Sequence, residues 1–465
     1  MKILFVYPNL MREEYIPLGL ASIAAYVKEH DHETFLMDYT WGGTAKDCIN
    51  MAEKVKPDVV GFSLRSGEFN FSLSIAKELK RRHPNILILF GGIHPTVDPE
   101  GTIKQDCVDA IIQGEGEHAL VELLNKLKEK KDFSKIKNLW TKKDGKIFRN
   151  PVRSLIEDLD KLPFPDRELF GFKRYLDARS GTADIMAGRG CPFQCTYCIN
   201  HISQKMYKDK GTYTRMRSPE NVIKELQELR KKYKINFVAF EDDTFTYSKD
   251  WMRRFSKLYV KEIALPCSCN ARPETMDDEM AKMLSEMGCT TLNMGIESGN
   301  EKIRREVLKR FNTNEQIIKA FQAANNHGLK TYSYNMVGLP YETEKEMWET
   351  VHLNRRAKPT VVDASIFQPY PGTELQSLCE KNGWIMDMST LPFSHKFISI
   401  MKYPNVSNKE IKYWKRMFRF RVLRKTNIRK ALALLVLDWN YESFIKNRDK
   451  IPSFAKAMLY KLWRF

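Results

Sequence analysis

The first 130 residues alternate between short apolar segments and segments in which apolar positions recur every three or four residues. The apolar segments predict five strands, at residues 2–7, 34–37, 58–64, 86–90 and 108–112. Helical spacing predicts intervening helices, most clearly at residues 18–29, 71–82 and 118–130. Strands that alternate with helices in this way indicate a parallel sheet with right-handed crossovers.

A second alternation runs from residue 183 to about residue 382. It predicts strands at residues 183–187, 237–240, 291–294, 331–337 and 362–367. It predicts helices at residues 220–232, 251–263, 277–286, 314–326 and 344–356. This stretch is long enough for a partial (β/α) barrel, and the chain that follows it has a mostly helical pattern.

Turn-forming residues separate the two alternations, with a hairpin turn predicted at 142–145 and a rigid Pro-containing segment at 162–166. We therefore predict an α/β protein in four parts. An N-terminal doubly wound domain of flavodoxin-like or Rossmann-like type spans 1–140, and a linker spans 141–180. The barrel spans 181–385, and a basic, mostly helical region spans 386–465.

Composition places the chain among globular proteins. Of its 465 residues 43% are hydrophobic, and Gly and Pro number only 23 and 20, which excludes collagen and disorder. The apolar run near the C-terminus, 431–437, is too short to span a membrane, and the apolar stretch 3–7 stops at Pro8 and reads as a strand rather than a signal peptide. Nine cysteines without an export signal predict reduced thiols and a cytoplasmic location.

The net charge of +18 is concentrated in one region, because residues 411–465 hold 15 basic and 3 acidic residues. The rest of the chain is only mildly basic, so the charge does not favour nucleic acid as a partner.

Three cysteines carry the strongest chemical signal in the sequence. Cys191, Cys195 and Cys198 form a C-x3-C-x2-C pattern directly after a predicted strand, a spacing expected by chance roughly 0.003 times per chain. Three thiolates on one loop can hold three irons of a [4Fe–4S] cluster and leave the fourth iron open. A zinc site would need a fourth ligand, for which His201 is the near candidate.

This spacing at a strand end resembles the radical S-adenosylmethionine (SAM) superfamily, in which SAM chelates the open iron. Further stretches resemble that family in order: 240–243, 270–273, 295–299, 337–340 and 368–373. The resemblance covers residues 183–380. It implies that SAM is bound by Tyr197, Glu241, Asp242, Arg272, Glu297, Ser298 and Gly338.

Several of these residues also have structural interpretations. Asp242 or Asp243 would serve equally to cap the next helix, and Glu297 would serve to pair with a barrel arginine. The four cysteines of the barrel outside the motif, Cys267, Cys269, Cys289 and Cys379, are expected to be buried as small apolar side chains, with a second cluster as the alternative.

The α/β domain ahead of the barrel resembles the cobalamin-binding radical SAM class, through residues 17–19, 91–96 and 114–117. In that class the corrin lies between the sheet edge and the barrel mouth. The resemblance implies that cobalamin is bound by Ser63, Ser66, Gly91, Gly92, His94, Thr96, Gly114, Glu115 and Gly116. The glycines would let the backbone approach the cofactor closely.

One departure concerns the lower face of the cobalt. Cobalamin mutases and methionine synthase carry Asp-x-His-x-x-Gly, whereas this chain has no such run, and its loop 9–16 contains no histidine. A cobalt without that imidazole donates a methyl group more readily as a radical. The alternative to cobalamin binding is that the N-terminal domain is vestigial and binds no cobalamin. The N-terminal domain of the methylthiotransferase family needs three cysteines. A methylthiotransferase is therefore disfavoured, because the N-terminal domain here has only two, Cys48 and Cys107.

The resemblance implies a cobalamin-dependent enzyme that methylates an unactivated carbon through a 5′-deoxyadenosyl radical, with a second SAM recharging the cobalt. No catalytic acid or base is assigned. The alternatives are cyclisation or rearrangement without methyl transfer, on a lipid or tetrapyrrole-like substrate, and a redox module whose cluster only carries electrons. The expected partners are a small-molecule or lipid substrate and a reductant such as flavodoxin or ferredoxin.

Basic and aromatic residues interleave at 409–430 and again at 454–465. Basic amphipathic helices with Trp and Phe bind anionic bilayer surfaces, so peripheral membrane contact is one prediction. The alternatives are that the aromatic face packs on the barrel, or that the region binds RNA or an anionic substrate.

Overall fold

The computed structural model of the chain describes residues 1–388 and 398–446. A seven-stranded sheet has the order β2-β1-β3-β4-β5-β6-β7. Its strands are β1 (Lys2–Tyr7), β2 (Glu33–Asp38), β3 (Val59–Ser63), β4 (Leu87–Gly91), β5 (Ala110–Ile112), β6 (Leu139–Lys143) and β7 (Lys146–Arg149). The accompanying helices are α1 (Leu18–Glu29), α2 (Ala45–Val55), α3 (Phe69–Arg82), α4 (Ile93–Val97), α5 (Pro99–Ile103) and α6 (Glu117–Lys128).

The pairs among β1 to β5 are parallel, as predicted. Strand order reverses at β1, between its neighbours β2 and β3, and ligands of such sheets bind beyond the carboxyl ends of the strands at the reversal. The apolar faces of β3 and β4 bury Val60, Phe62 and Phe90 against α2 and α3. This packing fixes the strand ends from which the predicted cobalamin residues project.

The predicted hairpin turn is present, but its two strands extend the first sheet. β6 pairs antiparallel with β5, in a register that places Ala110 opposite Thr141, and β7 pairs antiparallel with β6. Residues 139–149 are therefore an antiparallel edge of the sheet, whereas the sequence places most of them in the linker. The domain boundaries at 140, 180 and 385 stay predictions.

A second sheet has six strands in the order β15-β14-β13-β12-β11-β8, and the pairs from β12 to β15 are parallel. The strands are β8 (Thr182–Ile185), β11 (Phe237–Phe240), β12 (Cys267–Ala271), β13 (Cys289–Glu297), β14 (Lys330–Val337) and β15 (Val361–Ile366). The short strands β9 (Gly188–Arg189) and β10 (Arg215–Met216) form a separate antiparallel pair. The helices of this stretch are α7 (Phe172–Ala178), α8 (Ile199–Met206), α9 (Pro219–Lys232), α10 (Lys249–Glu262), α11 (Asp278–Glu286), α12 (Asn314–Asn326) and α13 (Glu344–Ala357).

The parallel sheet of the predicted partial barrel is thus confirmed, with one strand more than the five expected. The extra strand is β12, which reads Cys-Ser-Cys-Asn-Ala. None of these residues is aromatic or β-branched, so the local preference for a strand is weak and tertiary pairing with β13 decides the conformation.

The C-terminal region is helical, as predicted, with α14 (Glu374–Lys381), α15 (Asn408–Leu423) and α16 (Ile428–Lys446). Trp414, Phe418 and Val422 of α15 are buried in a core with β14, β15 and α13. Part of the interleaved aromatic stretch therefore packs on the barrel. Among the described residues no helix is both long and apolar enough to cross a bilayer. The second basic stretch, 454–465, lies outside the described residues.

The chain divides into two units. The first comprises Met1–Phe193, Cys198–Val238 and Tyr370–Thr373. The second comprises Gln194–Tyr197, Ala239–Pro369 and the described residues from Glu374 onwards.

Candidate active site

The three predicted cluster cysteines lie on the loop that follows β9. Cys191 and Cys195 are buried and Cys198 is half-buried, and all nine cysteines of the chain are free thiols. Gly190 has a φ of +83°, and a Cβ there would lie 2.4 Å from the backbone oxygen of Tyr213, so the entry to the loop requires glycine. Gln204 of α8 donates through Nε2 to the backbone oxygen of Cys191 at 2.6 Å, which holds the start of the loop.

The donor chemistry of this loop fits an iron–sulfur cluster. Three thiols within eight residues are the ligand set that a [4Fe–4S] cluster with one open iron needs. Among the described residues, no three His, Cys, Asp or Glu side chains converge as they would around a metal ion, so the fit rests on the thiols and their spacing. Arg272 donates through Nη1 to Sγ of Cys195 at 3.0 Å, and hydrogen bonds to ligating sulfurs tune the potential of such clusters.

Arg272 is the residue that the family resemblance assigns to the carboxylate or ribose of SAM. The structure places its guanidinium against Cys195 and against Glu274, whose Oε1 lies 2.6 Å from Nη2. Burial opposes the charge of Arg272, but Glu274 and Cys195 favour it, and the pKa of Arg272 is raised. The side chain is therefore a permanent cation beside the cluster loop.

Tyr197 and Glu297 are brought together by a residue that the sequence does not single out. Arg310 is almost fully buried and donates through Nη2 to the backbone oxygen of Gly295 at 2.6 Å. Its Nη1 lies 3.3 Å from the Tyr197 hydroxyl and 3.5 Å from Oε1 of Glu297. The predicted pairing of Glu297 with a barrel arginine is thus present. Burial nevertheless raises the pKa of Glu297, against the opposing charge of Arg310.

The backbone at Glu297 is strained, which is a frequent property of functional sites. Its φ is +64°, and the pairing of β13 with β14 shifts register between Gly295 and Glu297. A Cβ at Gly295 would lie 2.1 Å from Oε1 of Glu297, so the carboxylate occupies the space above a glycine. The next residue, Ser298, is fully buried, and its backbone oxygen accepts a hydrogen bond of 2.6 Å from Arg304.

Glu241 and Asp242 follow the carboxyl end of β11, Glu241 exposed and Asp242 buried. The interpretation of Asp242 or Asp243 as a helix cap is wrong, because Ser248 caps α10 by accepting a hydrogen bond from the amide of Trp251. The backbone oxygen of Asp242 accepts a hydrogen bond of 3.1 Å from the amide side chain of Asn270. These acidic residues therefore stand at a strand end without a capping role.

The turn after β14 contains the predicted residue Gly338 and an unpredicted carboxyl group, that of Glu342. Oε2 of Glu342 accepts hydrogen bonds from the amides of Gly338 at 2.7 Å and Leu339 at 3.1 Å. Oε1 is buried and has no hydrogen-bond partner among the described residues. Tyr403 donates to the backbone oxygen of Gly338 at 2.9 Å, so both sides of this peptide are held.

Burial raises the pKa of Glu342 from 4.5 to about 8, because two amide donors only partly compensate for it. A raised pKa in the folded state means that Glu342 stabilises the fold fully below pH 4.5 and loses this contribution as the pH rises to about 8. The loss is roughly 3 to 5 kcal/mol across this window.

We expect Glu342→Gln to flatten the pH dependence of stability, because the amide is isosteric with the protonated acid and cannot ionise. Thermal unfolding at pH 5, 6.5 and 8 measures this, and the wild type should lose more stability than the variant. Glu344→Gln, at an exposed position in the first turn of α13, is the control and should keep the wild-type slope. Parallel pH profiles for wild type and Glu342→Gln would contradict the expectation.

In the first unit, the structure links several predicted cobalamin residues at the carboxyl ends of β3, β4 and β5. Nδ1 of His94 lies 3.1 Å from Oγ of Ser66. Thr96 donates to the backbone oxygen of Gly92 at 2.8 Å and accepts from the amide of Gly114 at 3.1 Å. Gly92 has a φ of +90°, and a Cβ there would lie 2.9 Å from the amide nitrogen of Leu64.

His94 itself is buried, and its Nε2 has no hydrogen-bond partner among the described residues. Burial lowers the pKa of His94 to about 4, so the imidazole is neutral at physiological pH. An orphaned, neutral imidazole nitrogen at these strand ends is compatible with a ligand that brings its own polar groups, as a corrin with amide side chains does.

Glu115 and Gly114 contact other protein residues: Glu115 is paired with arginines, and Gly114 is closely approached by a tyrosine. Arg189 and Arg215 reach Oε1 of Glu115 at 3.1 and 2.9 Å, and although burial opposes ionisation, these arginines keep the pKa of Glu115 below its usual value. A Cβ at Gly114 would lie 2.0 Å from the hydroxyl of Tyr207. The close approach at Gly114 is therefore made by Tyr207. The other predicted residues of this set, Ser63, Gly91 and Gly116, lie at the same strand ends.

Comparison with known proteins identifies the two parts of the chain. Residues 185–353 match the Radical SAM superfamily and residues 11–124 match the B12 binding domain family. An uncharacterised methyltransferase from Pyrococcus horikoshii is 31% identical over 399 residues, which cover 85% of each chain. The anaerobic magnesium-protoporphyrin IX monomethyl ester cyclase of Rubrivivax gelatinosus is 25% identical, covering 82% of this chain and 70% of its own.

A solved structure shares the fold. The radical SAM methyltransferase TsrM from Kitasatospora setae, with cobalamin and a [4Fe–4S] cluster bound, superposes with a TM-score of 0.68 at 19% identity, covering 82% of this chain and 75% of that one. The chain belongs to the radical SAM superfamily, in its cobalamin-binding class. The predicted cofactors, a [4Fe–4S] cluster, SAM and cobalamin, are thereby confirmed, and so is an enzyme that acts on a small molecule and needs a reductant.

Proposed function

We propose that this enzyme transfers a methyl group to an unactivated carbon of a biosynthetic intermediate. The observation that carries the proposal is the similarity to a methyltransferase along 85% of both chains, through the cobalamin-binding part and the radical SAM part alike. When bound, the cluster and SAM supply a 5′-deoxyadenosyl radical, and cobalamin supplies the methyl group.

We assign the cofactor sites as follows. The cluster ligands are Cys191, Cys195 and Cys198. The SAM site comprises Tyr197, Glu241, Asp242, Arg272, Glu297, Ser298 and Gly338, and we add Arg310 and Glu342 because they contact these residues. The cobalamin site comprises Ser63, Ser66, Gly91, Gly92, His94, Thr96, Gly114, Glu115 and Gly116.

The side chains of the second unit orient this site and carry its charge. Arg310 keeps the Tyr197 hydroxyl and the Glu297 carboxylate on one guanidinium, so that both side chains stay fixed before SAM arrives. Arg272 places a positive charge on one cluster sulfur. Glu342 and Tyr403 fix the peptide of Gly338 from opposite sides.

Counting products tests the proposal. Methylation should yield S-adenosylhomocysteine and 5′-deoxyadenosine together, because bound cobalamin would take its methyl group from one SAM and a bound cluster would cleave a second SAM. The second candidate, cyclisation or rearrangement, is favoured by the similarity to a cyclase and should yield only 5′-deoxyadenosine. The reactions are run under anaerobic conditions, with extracts from the host as the source of substrate. Mass spectrometry then measures S-adenosylhomocysteine and 5′-deoxyadenosine. Formation of 5′-deoxyadenosine alone would overturn the methyl-transfer proposal.

We also propose that the C-terminal helices contact an anionic membrane surface. α16 exposes Ile428, Leu432, Val436 and Trp439, which are spaced by four, four and three residues and so share one face. Arg416 of α15 lies over the ring of Trp439, with its Cζ 5.0 Å from the ring centroid. An apolar helical stripe bordered by basic side chains is what a bilayer rich in anionic lipid binds.

Sedimentation with vesicles tests this surface. The protein should co-sediment with phosphatidylserine-containing vesicles at low salt and be released at high salt, because screening weakens the charge attraction. Val436→Glu should reduce binding about tenfold or more, since it buries a charge in the interface. Val260→Glu, at another exposed valine, on α10, should bind as the wild type does. No binding at low salt would remove the membrane proposal.

A further inference from the structure

Three guanidinium groups surround one tryptophan in the second unit. Their Cζ atoms lie 5.9 Å (Arg355), 5.5 Å (Arg421) and 5.9 Å (Arg424) from the ring centroid of Trp348. Arg355 belongs to the last turn of α13, Arg421 to the last turn of α15, and Arg424 directly follows α15. Arg421 also stacks on Trp414, 3.5 Å from its ring centroid, which orients its guanidinium.

In the part of the chain that the structure describes, these positive charges lack a counter-ion. Arg421 is 8% exposed, and its Nη1 is buried without a hydrogen-bond acceptor, as is Nε of Arg355. Within the ranges 1–388 and 398–446, no carboxylate forms an ion pair with any of the three arginines. Arg355 donates through Nη2 to the backbone oxygen of Arg421 at 2.6 Å.

The directions of the pKa shifts of Arg355 and Arg421 agree with a group of arginines whose charges are not neutralised. Burial lowers the pKa of Arg355, and the charge of Arg424 lowers it further. Burial likewise lowers the pKa of Arg421, with Arg424 adding to the effect and Tyr413 and Glu344 opposing it. Buried charges in proteins are normally paired, because an unpaired charge bears its full desolvation cost. The aromatic rings relieve this cost only in part.

The donors suit an oxyanion. A guanidinium presents its N–H groups as a planar fork that matches the oxygens of a phosphate group, and clusters of arginines are the usual protein device for phosphate recognition. We propose that Arg355, Arg421 and Arg424 form a binding site for a phosphate group, with Trp348 as its aromatic wall.

The site is separate from the SAM residues of the same unit. Arg355 lies at the end of α13 that leads into β15, and Lys430 of α16 donates to the backbone oxygen of Thr360, just ahead of the same strand. Arg355 therefore lies near the amino end of β15, whereas Glu241, Ser298 and Gly338 follow carboxyl ends of strands. The ligand of the arginine cluster is a free phosphate compound or a lipid headgroup rather than the group that reacts.

The experiment titrates the reconstituted full-length enzyme with inorganic phosphate and follows tryptophan fluorescence. A second arm measures binding to phosphatidylcholine vesicles with and without phosphatidic acid. Arg424→Gln, at an exposed position, should weaken phosphate binding about tenfold, the loss expected for one charge-assisted hydrogen bond. Arg355→Gln should act similarly, and Arg424→Lys should restore only part of the affinity, because it keeps the charge but not the fork.

The matched control is Arg429→Gln, which removes the same charge from α16 outside the cluster and should leave phosphate affinity unchanged. Saturable phosphate binding that depends on Arg424 supports a soluble ligand. Binding that depends on Arg424 only with phosphatidic acid vesicles supports a headgroup. Val436→Glu separates this site from the apolar stripe, because it should leave binding of inorganic phosphate intact. Equal binding by wild type and Arg424→Gln in both arms, or no binding in either, overturns the proposal.

Discussion

Replacing Cys198 by alanine is expected to reduce the reductive cleavage of SAM to less than about 1% of the wild-type rate, because a cluster with only two protein thiolates is not retained. The amide side chain of Asn200 donates to Sγ of Cys198 at 3.6 Å, and an amide does not replace a thiolate as a ligand of such a cluster. The measurement is 5′-deoxyadenosine formed under anaerobic conditions with dithionite, together with the iron content of the protein.

Cys379→Ala provides the control for this result. Cys379 is equally a free thiol, but it is buried in an apolar cluster with Leu375 and Phe367, so its loss should leave both iron content and SAM cleavage near the wild-type values. Continued cleavage of SAM by Cys198→Ala would show that this thiol is not a cluster ligand and would withdraw the assignment of the loop.

The sequence predicts the architecture well where local and tertiary preferences agree. The strand expected at residues 237–240 and the helix expected at residues 314–326 have those bounds in the structure. β12 escapes prediction because its small polar residues carry no strand preference, so its conformation depends on neighbours that are distant in sequence. For the same reason the sequence predicts the turn at 142–145 but not the antiparallel pairing of β6 with β5.

The candidate site also contains residues that local sequence reveals and residues that only the fold brings into place. The cysteine motif lies within eight consecutive residues, so spacing alone exposes it. Arg310 acts through a contact that only the fold creates, since it meets Tyr197 across 113 residues. Glu342 binds amides only three and four residues away, but the burial that raises its pKa comes from the fold. Ser248, and not the acidic pair before it, caps α10, because α10 begins at Lys249, several residues after Asp243.

Arg310→Met is expected to lower the free energy of unfolding by about 3 to 5 kcal/mol, the usual cost of leaving one member of a buried ion pair without its partner. Arg310 is buried and the side chain of Glu297 is 13% exposed, and Arg310 also donates to the backbone oxygen of Gly295. Without Arg310, Glu297 keeps its burial and loses the main charge that opposes the rise of its pKa. The destabilisation should therefore be larger at pH 8 than at pH 5, because protonation of Glu297 relieves it.

A double-mutant cycle separates this charge effect from lost packing. Adding Glu297→Gln to Arg310→Met removes the stranded carboxylate, so the double variant should recover at least about 1 kcal/mol and lose the difference between pH 5 and pH 8. Arg305→Met, at an exposed arginine of the same segment, should be neutral within about 0.5 kcal/mol. Thermal unfolding of the reconstituted protein provides the values. Additive effects of Arg310→Met and Glu297→Gln would mean that the two groups do not interact.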